Sequence, residues 1–329
     1  MFSIKDFKAQ LFSVSSETFE EKAIELFHYQ YHAINVYRTF VDHLHIHPQE
    51  VKQLTDIPFL PVASFKYHAV TDETNPLPAC YFESSTTTGL TPSRHYIRDP
   101  ELYRKSLVKG FQQFYGPLDQ YAILGLLPHY LERPHSSLIF MVQEWMKVSR
   151  HPENGFYLTD REALYHKLQD LEARHQPTIL LGVTYALLDF AAQYPMPLQH
   201  TIVMETGGMK GRRREMIREE VHEMLQKAFR VDCIHAEYGM AELLSQAYAR
   251  CKGRFAGPPW MRMLVRDTYD PLDVRPEGQG VLNIIDLANV HSCAFLATDD
   301  VGRVYADGSF EVLGRLDASE WRGCNLLVA

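Results

Sequence analysis

With 329 residues, 46% hydrophobic and 22% charged, the chain has an ordinary globular composition and is long enough for one large or two medium domains. A net charge of −8 argues against a nucleic-acid partner, and no apolar run is long enough to span a bilayer. Five scattered cysteines (Cys80, Cys233, Cys251, Cys293 and Cys324) fit neither a disulfide framework nor a zinc pattern, so a reducing cytoplasm is expected.

The start, Met1-Phe2-Ser3-Ile4-Lys5-Asp6, lacks the apolar core of a secretion signal. From Phe19 to about Val41 apolar residues recur at helical spacing and predict a helix. His43, His45 and His47 alternate, but without a Cys or carboxylate at ligand spacing they read as a solvated segment. Ile57-Pro58-Phe59-Leu60-Pro61-Val62 cannot be helical because of its two prolines. Then comes Phe82-Glu83-Ser84-Ser85-Thr86-Thr87-Thr88-Gly89-Leu90-Thr91-Pro92-Ser93-Arg94. Its run of hydroxyls ending in a Gly turn offers the donors that nucleotide phosphates need, or else it is an exposed Thr-rich turn.

From about residue 120 the pattern alternates. Tyr121 to Leu127, Thr178 to Val183, Thr201 to Met204 and Val231 to Ile234 read as buried strands. Helices are expected over Ala186 to Ala192, over a stretch with Ile217, Val221, Leu225 and Phe229 on one face, and over Ala241 to Tyr248. Apolar strands alternating with amphipathic helices imply a parallel sheet covered on both faces, with ligands beyond the strands' carboxyl ends. After about residue 258 short strands follow at Val281 to Ile285, Gly302 to Tyr305 and Ser309 to Leu313, the last two joined by the turn Ala306-Asp307-Gly308. The expected division is therefore an α/β core over 1–257, including the helical N-terminal part, and a β-rich subdomain over 258–329.

Four further segments bear on chemistry. Glu205-Thr206-Gly207-Gly208-Met209 lets backbone approach a flat ligand, or is a plain strand-to-helix turn. In Glu237-Tyr238-Gly239-Met240-Ala241-Glu242-Leu243, Tyr238 can lie against a purine and Glu242 is a hard oxygen ligand suited to Mg²⁺; the alternative is a helix start with Glu in its first turn. Ala297-Thr298-Asp299-Asp300-Val301-Gly302 reads as a loop whose carboxylate can accept both ribose hydroxyls, or as an Asp-capped turn. In Gly314-Arg315-Leu316-Asp317, Arg315 can reach a phosphate or ribose, or form a surface ion pair.

In this order the segments resemble the loops of the ATP-dependent adenylate-forming superfamily, S-S-G-T-T-G, G-G, Y-G-x-T-E, T-G-D and G-R-x-D. Here Thr86 stands for a usual Gly, Ala241 for Thr and Asp299 for Gly. The segment from Leu127 through Arg133 to Leu138, with Ile57 to Lys66, Gly155-Phe156-Tyr157-Leu158 and Arg322-Gly323-Cys324, is similar to the LuxE-type acyl-protein synthetases, relatives of phenylacetate–CoA ligases. The resemblance spans nearly the whole chain.

It implies the adenylate-forming N-terminal architecture and conversion of a fatty or related acid and ATP, with Mg²⁺, to acyl-AMP. The acyl group then passes to a C-terminal cysteine and on to an acyl-reductase or other acceptor protein. Carried onto this sequence, Ser84, Ser85, Thr87, Thr88 and Gly89 grip phosphates, and Gly207, Gly208 and Tyr238 frame the adenine. Asp300 holds the ribose, Glu242 the Mg²⁺ and Arg315 the ribose or phosphate. Cys324 is the acyl acceptor or, alternatively, a small buried residue; Arg322 beside it favours a thiolate. The superfamily usually continues for ~100 residues as a lid domain with a catalytic Lys. The sequence stops at Ala329, so the expected cation comes instead from Lys210, Arg212, Arg213 or Arg315. An ATP-independent acyltransferase and a non-catalytic acyl-carrying subunit are the alternative functions.

Overall fold

Ser3 opens the first helix, α1 (Ile4–Gln10), by accepting a hydrogen bond from the Asp6 N–H. The helix expected from Phe19 to Val41 is two helices, α2 (Phe19–Ala33) and α3 (Asn35–His43), separated by Ile34. Ile34 is extended and fully buried, so the break turns the chain without exposing an apolar side chain. On the buried face of α2, Gln30 replaces a hydrophobe and is satisfied: Nε2 donates to the Asn289 carbonyl at 2.7 Å, and Oε1 accepts from the Ala294 N–H at 2.9 Å. The proline-bearing segment forms the short strand β1 (Leu60–Pro61), followed by the single turn α4 (Ser64–Tyr67).

The computed structural model describes residues 2–72, 76–84, 91–127, 133–207 and 216–316. The chain divides into two units, one drawn from Met1–Asp72 and Pro259–Ala329, the other from Glu73–Pro258.

The second unit begins with an antiparallel hairpin of β2 (Tyr81–Glu83) and β3 (Arg94–Tyr96). Helix α5 (Pro100–Tyr115) follows, with Pro100 in its first turn and the Asp99 side chain accepting from the Leu102 N–H. Then come β4 (Ala122–Leu126), α6 (Ser137–Ser149), β5 (Gly155–Phe156), α7 (Arg161–Ala173), β6 (Thr178–Val183), α8 (Thr184–Gln193), β7 (Thr201–Thr206), α9 (Arg218–Phe229), β8 (His235–Tyr238), β9 (Ala247–Ala249) and β10 (Phe255–Ala256). The strands lie in the order β10-β9-β8-β7-β6-β4-β5. Pairing is parallel from β5 through β8 and antiparallel at β9 and β10. All of β4 and β6 is buried, as the apolar runs require of a sheet covered on both faces.

Three expectations fail here. Residues 241–248 are a turn and then β9 rather than a helix. Leu243 through Ala249 are buried without exception, including Ser245 and Gln246, so the segment has no solvent face for a helix to present, and burial overrides its helical propensity. The fourth strand is His235–Tyr238, one step beyond the expected Val231 to Ile234. Ile217 sits before α9 and is 63% exposed, leaving Val221, Leu225 and Phe229 to form the buried face.

The first unit ends in an antiparallel sheet of β11 (Met261–Arg266), β12 (Val274–Arg275), β13 (Gly278–Asp286), β14 (Phe295–Val304) and β15 (Phe310–Arg315), in the order β12-β11-β13-β14-β15. β1 pairs parallel to β14. The β14–β15 turn is the expected one, with Gly308 at φ 78 and the Tyr305 N–H donating to the Ser309 carbonyl. The Thr298-Asp299-Asp300 segment is not a loop but part of β14, next to a register shift between Val301 and Gly302. A Cβ on Gly302 would lie 2.4 Å from the Glu311 carbonyl oxygen, so only glycine permits that crossing. Among the described residues no helix is long and apolar enough to cross a membrane.

Candidate functional site

The hairpin β2–β3 carries the hydroxyl-rich loop between its strands. Ser84 and Ser93 close the base of that loop: the Ser84 N–H donates to the Ser93 carbonyl at 3.1 Å, and the Ser93 N–H donates to Ser84 Oγ at 3.0 Å. Ser84 Oγ keeps its own proton as a donor. One residue along β3, His95 is buried, and its Nδ1 donates at 2.9 Å to the carbonyl of Ala241. Burial pushes the His95 pKa down to about 4, so the ring is neutral at pH 7 and its Nδ1–H is the donor to that carbonyl.

Ala241 belongs to the turn after β8, where the Leu243 N–H donates to the Met240 carbonyl at 3.2 Å. The neighbouring Glu242 is 5% exposed. A second tie, between Ser106 Oγ and Ser245 Oγ at 3.1 Å, joins α5 to the chain just after the turn. The hydroxyl-rich hairpin and the Glu242 turn, 146 residues apart in sequence, are thus bonded to each other. Glu242 is a hard carboxylate oxygen donor, and the described residues contain no cluster of three His, Cys, Asp or Glu able to hold a metal. That donor set fits Mg²⁺, which takes one or two carboxylates and completes its shell with phosphate and water.

Tyr238 ends β8, half-buried, with its ring edge-on to Phe255 at 5.9 Å between centroids and its hydroxyl 3.8 Å from Met240 Sδ. Thr206 and Glu237 are register partners on β7 and β8, so Gly207 and Tyr238 leave adjacent strands at the same level. Gly207 has φ 71, a conformation that favours glycine.

Behind these residues lies a polar layer to which the sequence alone assigns no role. Glu205, 3% exposed, accepts from Thr184 Oγ1 at 2.9 Å and from Arg218 Nε at 3.1 Å, with His222 Nε2 3.6 Å away. Thr184 and Arg218 are the first residues of α8 and α9, so the carboxylate is bonded to a side chain from the first turn of each helix. Glu237 accepts a hydrogen bond from the Thr206 hydroxyl, and burial raises its pKa to about 7, with the nearby Glu205 charge adding to the shift. A Cβ on Gly239 would lie 2.5 Å from Glu237 Oε1, so the glycine leaves room for this carboxyl.

In the first unit, Asp300 and Arg315 are cross-strand partners on β14 and β15. Arg315 Nε is 3.8 Å from Asp300 Oδ1, and an outer nitrogen is 4.0 Å from Asp299 Oδ2. The Arg315 side chain is 67% exposed and that of Asp300 19%. The Asp300 N–H donates to Thr298 Oγ1 at 3.1 Å, which fixes its backbone. Beneath, Arg266 spans the sheet, donating to Asn283 Oδ1 at 2.7 Å and to the Thr298 carbonyl at 2.6 Å.

Ser85, Thr87, Thr88, Gly89, Gly208 and Cys324 lie outside the described residues, as do Lys210, Arg212 and Arg213. Against the expectation of unpaired cysteines, Cys233 and Cys251 form a disulfide. The antiparallel return of β9 sets Ala249 opposite Ala236, and the cysteines then face each other just beyond the paired ends.

Comparison with known proteins follows the same lines. The acyl-protein synthetase family LuxE matches residues 7–329. A 2-hydroxyisobutyryl-CoA ligase, solved with 2-HIB-AMP and CoA, superposes with a TM-score of 0.65 at 12% identity, covering 97% of this chain and 70% of that one. The luciferase-like enzyme of the mealworm Zophobas morio gives 0.52 at 15% identity, over 73% and 58%. The Bacillus subtilis O-succinylbenzoate CoA synthetase, solved with ATP and magnesium, gives 0.50 at 15% identity, over 71% and 49%. The chain thus spans little more than half the length of the luciferase-like enzyme. None of the curated proteins matches the sequence. These superpositions establish the fold as that of adenylate-forming enzymes.

Proposed function

The chain belongs to the LuxE acyl-protein synthetase family, and from that premise we propose that it activates a fatty or related carboxylic acid with ATP and carries the acyl group on Cys324. The observation that carries the reading is the bond from His95 to Ala241, which joins the hydroxyl-rich hairpin to the turn holding Glu242. A phosphate-gripping loop and a carboxylate for the phosphates' metal are useful only side by side. Ser84, Ser85, Thr87, Thr88 and Gly89 hold the phosphates, and Gly207, Gly208 and Tyr238 flank the adenine. Asp300 accepts the ribose hydroxyls. Mg²⁺, held by Glu242, neutralises phosphate charge when bound.

In the first step a carboxylate oxygen of the acid attacks the α-phosphorus and pyrophosphate leaves, giving acyl-AMP. Arg315 supplies positive charge toward the developing negative charge. In the second step the Cys324 thiolate attacks the acyl carbonyl, a thioester forms, and AMP departs with the electron pair of the broken C–O bond. An acyl-reductase or other acceptor protein then takes the acyl group; a cytoplasmic location fits the proposed use of ATP, although the cysteines no longer speak for it, since Cys233 and Cys251 are paired.

The test is mass spectrometry of the protein incubated with ATP, Mg²⁺ and a labelled fatty acid. The expected result is ATP-dependent label on Cys324, released by neutral hydroxylamine and absent from Cys324→Ser. Label on another residue, or label acquired only from a thioester donor without ATP, overturns the proposal; the latter result favours an ATP-independent acyltransferase.

A further inference from the structure

Two of the residues proposed to flank the adenine, Gly207 and Tyr238, trace back to one buried carboxylate. The Thr184 hydroxyl lies 2.9 Å from Glu205 Oε2 and 2.9 Å from the Gly207 carbonyl oxygen, and its single proton is shared between these two acceptors, which sets the glycine's backbone beside Glu205. The other Glu205 oxygen accepts from Arg218 Nε at 3.1 Å. The Arg218 guanidinium lies over the Phe255 ring, 5.0 Å from its centroid, and Phe255 meets the Tyr238 ring edge-on. A Cβ on Gly253 would lie 2.9 Å from Arg218 Cδ, so this glycine keeps open the space in which the arginine lies.

We propose that Glu205 is a positioning residue for the nucleotide base, holding Gly207 through Thr184 and Tyr238 through Arg218 and Phe255. The two branches start from the two oxygens of one carboxylate, and they end on adjacent strands at the same level. Glu205 itself is 3% exposed, and it acts only through these neighbours. Both strand ends are thereby set before any ligand arrives, and that preorganisation lowers the cost of ordering a binding surface.

The inference rests on the nucleotide-binding reading, and its test separates the two. Binding of Mg-ATP and Mg-GTP is measured by calorimetry for wild type, Thr184→Val, Thr184→Ser and Glu205→Gln, at a temperature where circular dichroism shows each folded. Thr184→Val keeps the shape and removes the hydroxyl; Thr184→Ser keeps the hydroxyl. The expected result is about tenfold weaker ATP binding and a smaller ATP-over-GTP preference in Thr184→Val and Glu205→Gln, with wild-type behaviour restored in Thr184→Ser. If Glu205→Gln does not fold, the Thr184 pair alone decides. Folded variants that keep wild-type affinity and base preference, or a Thr184→Ser variant as weak as Thr184→Val, overturn the inference while leaving ATP use intact. A wild type that binds no ATP overturns both.

Discussion

The turn around Glu242 and the crossing of Asp300 with Arg315 present the same functional vocabulary in opposite physical states. The turn is held by two buried bonds, His95 to Ala241 at its tip and Ser106 to Ser245 beside it, and by the half-buried disulfide Cys233–Cys251 at the base of its two strands. The Asp300–Arg315 pair sits on paired strands, with the Asp300 N–H donating to Thr298 Oγ1. Its charged atoms stand 3.8 Å apart, and the arginine is two-thirds exposed. Buried bonds set geometry because breaking one leaves a desolvated group unpaired, whereas an exposed pair exchanges partners at little cost. The comparison teaches that the turn carrying Glu242 is preset by its bonds, whereas the Arg315 side chain, two-thirds exposed, can change its position at little cost.

Removing the disulfide breaks the comparison most strongly. It closes a loop across a sequence separation of 18 that contains Tyr238 and Glu242. A Cys233→Ser/Cys251→Ser protein is expected to lose about 3 kcal/mol of stability in urea unfolding, the scale of the chain-entropy effect for such a loop. A loss near zero would mean that the bond is not formed in solution.

Glu237 offers a test with a sign. Its folded pKa, raised by burial to about 7 from the ordinary 4.5, means that the native state keeps a proton the unfolded chain releases between those values. The stabilisation is complete below about pH 4.5 and is lost as pH rises through 7. Glu237→Gln cannot ionise, so its stability relative to wild type should improve from pH 5 to pH 8, by on the order of 2 kcal/mol. His95 works in the opposite direction: burial lowers its pKa to about 4, so its contribution is present above pH 6.5 and lost as pH falls through 4. Paired denaturation curves of wild type and variant at both pH values cancel the His95 contribution. An unchanged gap would remove Glu237 from the buried set.

The smallest structural effect belongs to the exposed Arg315. Arg315→Ala should change stability by less than ~1 kcal/mol. Asp300→Ala should leave melting unchanged while weakening ATP binding about tenfold, as loss of a hydrogen bond to a charged group implies. Equal ATP affinity in Asp300→Ala would take the ribose role away from this residue.

The same contrast explains what could be read from the residues alone. The strand Thr178–Val183 and the turn at Gly308 are set by local pattern, an unbroken apolar run and a glycine at positive φ, and both stand where periodicity and turn chemistry put them. Residues 241–248 have helix-forming composition, and only their burial on all sides, a long-range property, makes them a turn and a strand. The cysteine pair went unseen for the same reason. In the candidate site the sequence offers residue types suited to nucleotide chemistry, Tyr238, Glu242, Asp300 and Arg315, whose roles are proposals. Their supports were not legible there. His95 reaches Ala241 across 146 residues, and Arg218 touches Glu205 across the connection between β7 and α9. No local pattern encodes such contacts.

Acid-dependent exchange of labelled pyrophosphate into ATP tests the central claim most directly, because it reports adenylation apart from any later transfer. The account predicts that a fatty acid with Mg²⁺ drives exchange in wild type, that Cys324→Ser exchanges equally well, and that Glu242→Ala does not exchange. Absence of acid-dependent exchange in folded wild-type protein, across fatty acids of different lengths and an aromatic acid, would contradict it.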